Sequence, residues 1–270
     1  MTHDTCSTYL LIDSAMIDDT LPMPWASKRR CPDWVRPLYD RKAGTVSPVL
    51  MDIEAARAAG RMSDVMAFAN ARRPQLHLSL IDTLMSLDQL CEHLRRFIYF
   101  VDGQGKEYTL RLADCAVLPA LMAALTPAQW AAITAPIRSW RVHGRDGALF
   151  ELLKPTTPPD ETSPLTLSQQ QMAALKNAMG VDQLLANLRT MRPGHQFAAT
   201  PLAEYEMASK ARQMWHAAGR EDDATLLLLA RGAFDTGGKI LWLPGMPAIL
   251  GGSDIEVVRK KIAECVANQF

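Results

Sequence analysis

Apolar residues in the first half of the chain fall into short runs divided by turn formers, alternating with stretches of helical period. Tyr9-Leu-Leu-Ile-Asp-Ser-Ala15 is a compact apolar run ending in turn formers, the pattern of a buried strand. Pro22, Pro24 and Pro32 argue against a regular helix in the segment that follows. Residues 35–39 and 46–53 read as strands, residues 54–73 as an Ala-rich helix stopped by Pro74, and residues 76–84 as another strand. Ser86 and Gln89 form a capping box before Leu87, Leu90, Cys91, Leu94 and Phe97, which share one helical face. Residues 98–102 and 107–113 alternate as a hairpin around Gly103-Gln-Gly-Lys106, with Tyr108, Leu110 and Leu112 facing one way. A helix near residues 115–125 is followed by Thr126-Pro-Ala-Gln129, a cap with a first-turn proline and a reciprocal Gln. Residues 137–142 and 148–153 are expected to close the sheet.

Residues 155–164 are rich in Pro, Thr and acid without periodicity, and read as a linker. Beyond them the pattern is helical throughout. Ser168 with Gln171 starts one segment, and Leu184, Leu185, Leu188 and Met191 line the next. Thr200-Pro201 opens a third, with Met207, Ala211, Met214, Trp215 and Ala218 at helical spacing. The run Leu226 to Leu229 is apolar enough to be buried on most sides, and Ser253 with Glu256 reads as a last capping box. The expected architecture is an α/β (α+β) lobe with a mixed sheet over residues 1–154, the linker, and an all-α lobe over residues 165–270.

A chain of 270 residues suits two domains. Its 29 Lys plus Arg balance 29 Asp plus Glu, and the halves divided at Pro155 hold 18 against 17 and 11 against 12. Neutrality in both halves argues against a nucleic-acid partner, which draws affinity from a basic surface. The one basic stretch, Lys28, Arg29, Arg30, Arg36, Arg41 and Lys42 with Asp33 and Asp40 between, reads as a solvated face or partner rim rather than a phosphate track. Five widely spaced cysteines without a C-x-x-C pair point to reduced thiols in a cytoplasm. The start lacks the basic residues of a signal peptide, and no apolar run reaches the ~18 residues of a membrane span.

No nucleophile elbow, zinc helix or glycine-rich phosphate loop is present. The six histidines are scattered, and Cys91 and His93, two apart on a helix, point about 200° away from each other. No metal or cofactor is expected. Gly251-Gly252-Ser253 offers an anion-binding helix start, with a plain N-cap as the simpler reading. Asp13 and Asp114 stand at strand ends where an enzyme keeps carboxylates, but backbone N–H groups or Arg95, Arg96 or Arg111 would satisfy them equally well. Fourteen methionines, six of them after the linker, suit either core filling or an adaptable apolar groove for a partner.

Tyr9-Leu-Leu-Ile-Asp-Ser-Ala15, Leu38-Tyr-Asp40, Val46-Ser-Pro-Val-Leu50, Leu94-Arg-Arg-Phe97, Leu110-Arg-Leu-Ala-Asp114 with Val117-Leu118, and Pro136-Ile-Arg-Ser-Trp140 occur in the order and spacing of one family. In this ordered set the chain resembles the type VI secretion effector adaptors, or effector chaperones, catalogued as domain of unknown function 4123. The resemblance covers residues 9–142 and departs after Ala15, where a helix is common and the prolines discourage one. It implies a non-enzymatic cytoplasmic protein that binds a toxic effector and helps load it onto the secretion spike, the valine-glycine repeat protein G or its tip. It also implies an α/β lobe followed by a more variable helical one.

On that basis some of Met207, Met214, Trp215 and the helix with Leu226 to Leu229 are expected to line a groove for an apolar effector segment. Arg95, Arg96, Arg111 and Asp114 are expected either to contact a partner or to fix the helix to the hairpin. An immunity protein that blocks a toxin, and a hydrolase with a dispersed site at Asp13 and Asp114, are the competing readings.

Overall fold

Strand β1 (Ser7–Ile12) is the chain's apolar opening run, and it lies inside a six-stranded sheet rather than at an edge. The computed structural model describes residues 6–17, 21, 31–39, 46–160, 164–191 and 200–269. Lys28, Arg29, Arg30, Asp40, Arg41 and Lys42 lie outside them, as does most of the segment after Ala15. With β2 (Val35–Pro37), β3 (Val49–Asp52), β4 (Leu78–Thr83), β7 (Ile137–His143) and β8 (Leu149–Glu151), the sheet runs in the order β2-β3-β1-β4-β7-β8. Every neighbouring pair in it is antiparallel.

Register explains why β1 is apolar at successive positions. Tyr9 pairs with Ile81, which pairs with Trp140, and Leu11 lies on the same face; this face packs against α3 (Leu87–Arg95), α4 (Leu118–Ala124) and α5 (Pro127–Thr134). Leu10 and Ile12 point the other way, with Val35, Val49, Met51 and Leu78, onto α1 (Ile53–Ala58) and α2 (Met62–Ala69) through Ala56, Val65 and Phe68. A strand covered on both faces loses polar alternation. On the first face Trp130 and Trp140 stack with centroids 6.0 Å apart, and the Trp140 indole N–H donates to Ser79 Oγ at 3.0 Å.

The single helix expected over residues 54–73 is two helices. Gly60, at φ +68°, ends α1 in the left-handed conformation that glycine adopts at low cost. Both expected capping boxes in this half are present, Ser86 with Gln89 and Thr126 with Gln129.

The expected mixed sheet is resolved into two. The hairpin β5 (Tyr99–Asp102) and β6 (Glu107–Thr109) joins β9 (Leu165–Leu167), parallel to β5, in a separate three-stranded sheet of order β6-β5-β9. β9 lies where only helix was expected. Its pairing keeps the residues after the expected linker with the first lobe, and the two units of the chain divide at Asn177 and Ala178 rather than at the linker.

That division falls inside α6 (Gln169–Met191), one helix where two segments were expected. It opens on the Ser168 and Gln171 box: the Ser168 N–H donates to Gln171 Oε1 at 2.9 Å, and the Gln171 N–H donates to Ser168 Oγ at 3.2 Å. Met172 and Leu175 pack on the first unit's core, whereas Val181, Leu184, Leu185 and Leu188 belong to the second unit's core.

The second unit is helical. α7 (Pro201–Ala217), α8 (Asp223–Asp235), a 3-10 turn at Lys239–Trp242, α9 (Met246–Leu250) and α10 (Ile255–Ala267) follow. α8 packs against α7 and α10, so its leucine run has little solvent to face. At Gly232 an added Cβ would lie 2.6 Å from Val266 Cγ2, so glycine is what lets α10 approach this closely. The last cap is Asp254, not Ser253: its carboxylate accepts the N–H groups of Glu256 and Val257. Asp254 therefore occupies the helix start that the Gly251-Gly252-Ser253 reading reserved for an anion.

Candidate interaction site

Asp13 and Asp114 come together on one cation. Asp13 ends β1 and Asp114 lies in the turn after the hairpin. Between them Arg111 places Nη2 2.7 Å from Asp13 Oδ2 and Nη1 3.3 Å from Asp114 Oδ2. The expected second strand of the hairpin is cut short at Thr109, and this turn is why Arg111 leaves the hairpin and reaches β1. Asp13 also accepts the Ala15 N–H at 3.1 Å. Burial alone would lower the Arg111 pKa, but the two carboxylates more than offset it and the net direction is upward. Burial, reinforced by the Asp13 charge, pushes the nearby Tyr39 phenol up to about 12. Arg111 thus clamps the turn to the end of β1.

Arg95 belongs to a different cluster. At the end of α3 its Nη2 donates to Pro37 O at 2.9 Å and its Nε to Leu38 O at 3.2 Å, so it ties the helix to the chain leaving β2 and not to the hairpin. Arg96 lies over the Phe97 ring, 5.5 Å from its centroid.

Among the described residues Cys91, Cys115 and His77 are buried, whereas Cys6 and His216 are exposed. Cys115 Sγ donates to Leu78 O at 2.9 Å, and burial pushes this thiol up to about 12. Cys91 is likewise buried and pushed up to about 11. His77 and His93 use Nε2 on the carbonyls of Phe68 and Ile133, at 2.9 and 2.8 Å, and burial lowers both pKa values. Among the described residues no group of three or more His, Cys, Asp or Glu is placed to hold a metal ion. No helix among them is long and apolar enough to cross a membrane.

In the second unit, Trp215, Leu226 and Leu229 do not line a groove as expected. They are buried in the core, where Trp215 also donates its indole N–H to Asp222 O at 3.1 Å. Met207 and Met214 are half-buried. They share a stripe of α7 with Lys210, whose Nζ sits 5.2 Å from the ring centroid of Trp242. Trp242 is 75% exposed. A concavity of about 140 Å³ lined by Met214, Ala217, Ala218 and Pro247 adjoins the same stripe. Trp242 was not foreseen, because a one-turn 3-10 segment gives no periodicity from which to read which of Ile240, Leu241 and Trp242 faces out.

Residues 8–132, which include β1 from its second residue through β6 and hold Arg95, Arg111 and Asp114, match the family described as Domain of unknown function (DUF4123). That stretch covers the motifs of the resemblance from Tyr9 to Leu118, but not Pro136-Ile-Arg-Ser-Trp140, which lies beyond it. No curated protein and no solved structure matches the chain.

Proposed function

We propose that this chain is a cytoplasmic adaptor that binds a type VI secretion effector and helps deliver it to the secretion spike. The observation that carries the reading is the match of residues 8–132 to domain of unknown function 4123, a family associated with effector adaptors of that system. The first unit then supplies the family's common framework, held by the Arg111 and Arg95 ties. The helical unit supplies the recognition surface, along the α7 stripe of Met207 and Met214 with Trp242 beside it. Flexible thioether side chains next to an exposed indole suit an apolar segment of a polypeptide.

The test is co-purification of the full chain with a toxin encoded beside it, followed by secretion of that toxin in a strain lacking the chain. Met214→Glu and Trp242→Ala are expected to reduce recovery of the toxin at least tenfold without lowering the melting temperature. Recovery undiminished in both variants would refute the helical surface. Secretion unchanged in the deletion strain would refute the adaptor reading itself.

A further inference from the structure

β8 is the terminal strand of the six-stranded sheet, and among the described residues no strand pairs with its outer edge. The Gly144 N–H donates to Ala148 O and the Leu152 N–H to Trp140 O, both at 2.8 Å, and Val142 pairs with Phe150. Residues 148, 150 and 152 therefore give their backbone groups to β7. The N–H and C=O of Leu149 and Glu151 point the other way, toward the outer edge. Proteins usually blunt such an edge with Lys, Pro, a bulge or a covering segment. β8 has neither Lys nor Pro, and Leu149, Phe150 and Glu151 are all exposed, with Leu153 beyond them 74% exposed.

The side chains state what would fit. Leu149, Glu151 and Leu153 fall on one face by the two-residue period, giving an apolar, acidic, apolar series. Arg141 is the β7 partner of Glu151, but its Nη2 donates to Asp82 Oδ2 at 2.9 Å rather than to Glu151. Glu151 forms no ion pair among the described residues. Across β4, β7 and β8 the charges on this face run Asp82, Arg141, Glu151, and a further strand continues the alternation with a cation. A second copy of β8 fits poorly. The antiparallel register that sets Leu149 against Leu153 also sets Glu151 against Glu151, and like charges directly opposite are destabilising.

We propose that β8 is a docking edge that takes up, as an added strand, an extended segment of a partner polypeptide bearing Lys or Arg with an apolar residue two positions to either side. Main-chain hydrogen bonds to Leu149 and Glu151 supply the attachment, and the cation against Glu151 sets the register. This edge is independent of the α7 stripe and of the adaptor reading.

The test uses the full chain and two labelled peptides, Thr-Val-Thr-Lys-Thr-Val-Thr and the same sequence with Glu for Lys, followed by fluorescence anisotropy. The Lys peptide is expected to bind better. Glu151→Lys should weaken it about tenfold and strengthen the Glu peptide about tenfold, the size of reversing one cross-strand charge pair. Hydrogen exchange should slow at the Leu149 and Glu151 amides when the Lys peptide is present. Glu151→Pro removes one outward N–H and leaves the ladder to β7 intact, so it should abolish binding of both peptides. If that variant fails to fold, the charge swap and the exchange data still decide. The proposal is overturned by any of three results: no binding of the Lys peptide at millimolar concentration, no change of preference in Glu151→Lys, or a dimer that protects these amides without peptide.

Discussion

Arg111 Nη2 lies 2.7 Å from Asp13 Oδ2, across 98 positions of sequence, and the Asp13 side chain is only 3% exposed. Removing the cation would strand two buried carboxylates, since Asp114 shares it. Arg111→Met is expected to cost about 2–4 kcal/mol in urea unfolding, at the lower end because the half-exposed guanidinium admits water. Asp13→Asn added to that variant should recover part of the loss. If the double variant is no more stable than the single one, the clamp is not electrostatic.

The two neighbouring arginines of α3 should behave differently. Arg95 serves two backbone carbonyls of the segment after β2, whereas Arg96 only rests on a ring. Arg95→Glu should lower stability by about 2 kcal/mol, because carbonyls lose their donors and meet a carboxylate. Arg96→Glu should cost under about 1 kcal/mol. Thermal melts of both would check the contrast. A partner contact at Arg95 would instead show as lost binding in a protein of unchanged stability.

How much was legible in the residues depends on how local the cause is. The capping boxes at Ser86, Thr126 and Ser168 were readable because donor and acceptor sit three residues apart. At α10 the sequence points one residue early, to Ser253, because that side chain offers the same capping chemistry as Asp254 beside it. β9 could not be read, since three residues become a strand only by pairing with β5, more than sixty positions earlier. The sequence offers Asp13 and Asp114 as strand-end carboxylates with Arg95, Arg96 or Arg111 as partners, and only the turn that follows Leu110 decides among the arginines. Trp215, Leu226 and Leu229 turn inward for a related reason: helical spacing groups Met214 with Trp215 and Leu226 with Leu229, and does not say which flank of a helix another helix covers.

Gly232 gives a steric prediction. An alanine methyl there would stand 2.6 Å from Val266 Cγ2, so Gly232→Ala should destabilise by about 1–3 kcal/mol despite the better helix propensity of alanine. Val266→Ala in the same chain should recover part of the loss. A Gly232→Ala protein as stable as the parent would mean that α10 can shift without penalty.

Buried His77 sets a response to mild acid. His77 is inaccessible, uses Nε2 on Phe68 O, and has no hydrogen-bond partner at Nδ1 among the described residues; burial lowers its pKa below the ordinary value. The unfolded chain then binds the proton first, near pH 6.5. Stability is full above that pH and falls as the pH drops from there toward the lower folded pKa, by up to about 1.4 kcal/mol per pH unit for each such group. His77→Gln should be less stable at pH 7.5 but should show a shallower loss between pH 7 and 5. An equal slope in both proteins would remove His77 as the cause.

Asp222 governs a second, more acidic transition. It caps α8 by accepting the Thr225 N–H at 2.9 Å, and its other contacts are Arg220 Nε at 2.9 Å and Arg259 Nη2 at 3.3 Å; Arg220 in turn donates to Leu250 O and Gly252 O at 3.0 Å. One carboxylate thus joins the start of α8, the segment before α10, and α10 itself. Burial would raise its pKa, but the hydrogen bonds from Thr225, Arg220 and Arg259 outweigh that and hold it at about 2. Because the folded value lies below the unfolded value of about 4, the contribution is complete above pH 4 and disappears as the pH falls to 2. Asp222→Asn should cost about 2 kcal/mol at pH 7, the size of a charged cap with its ion pairs. The gap between variant and parent should close below pH 3. Urea titrations of both proteins from pH 7 to pH 2 would measure it, and a gap independent of pH would show that the loss comes from packing rather than charge.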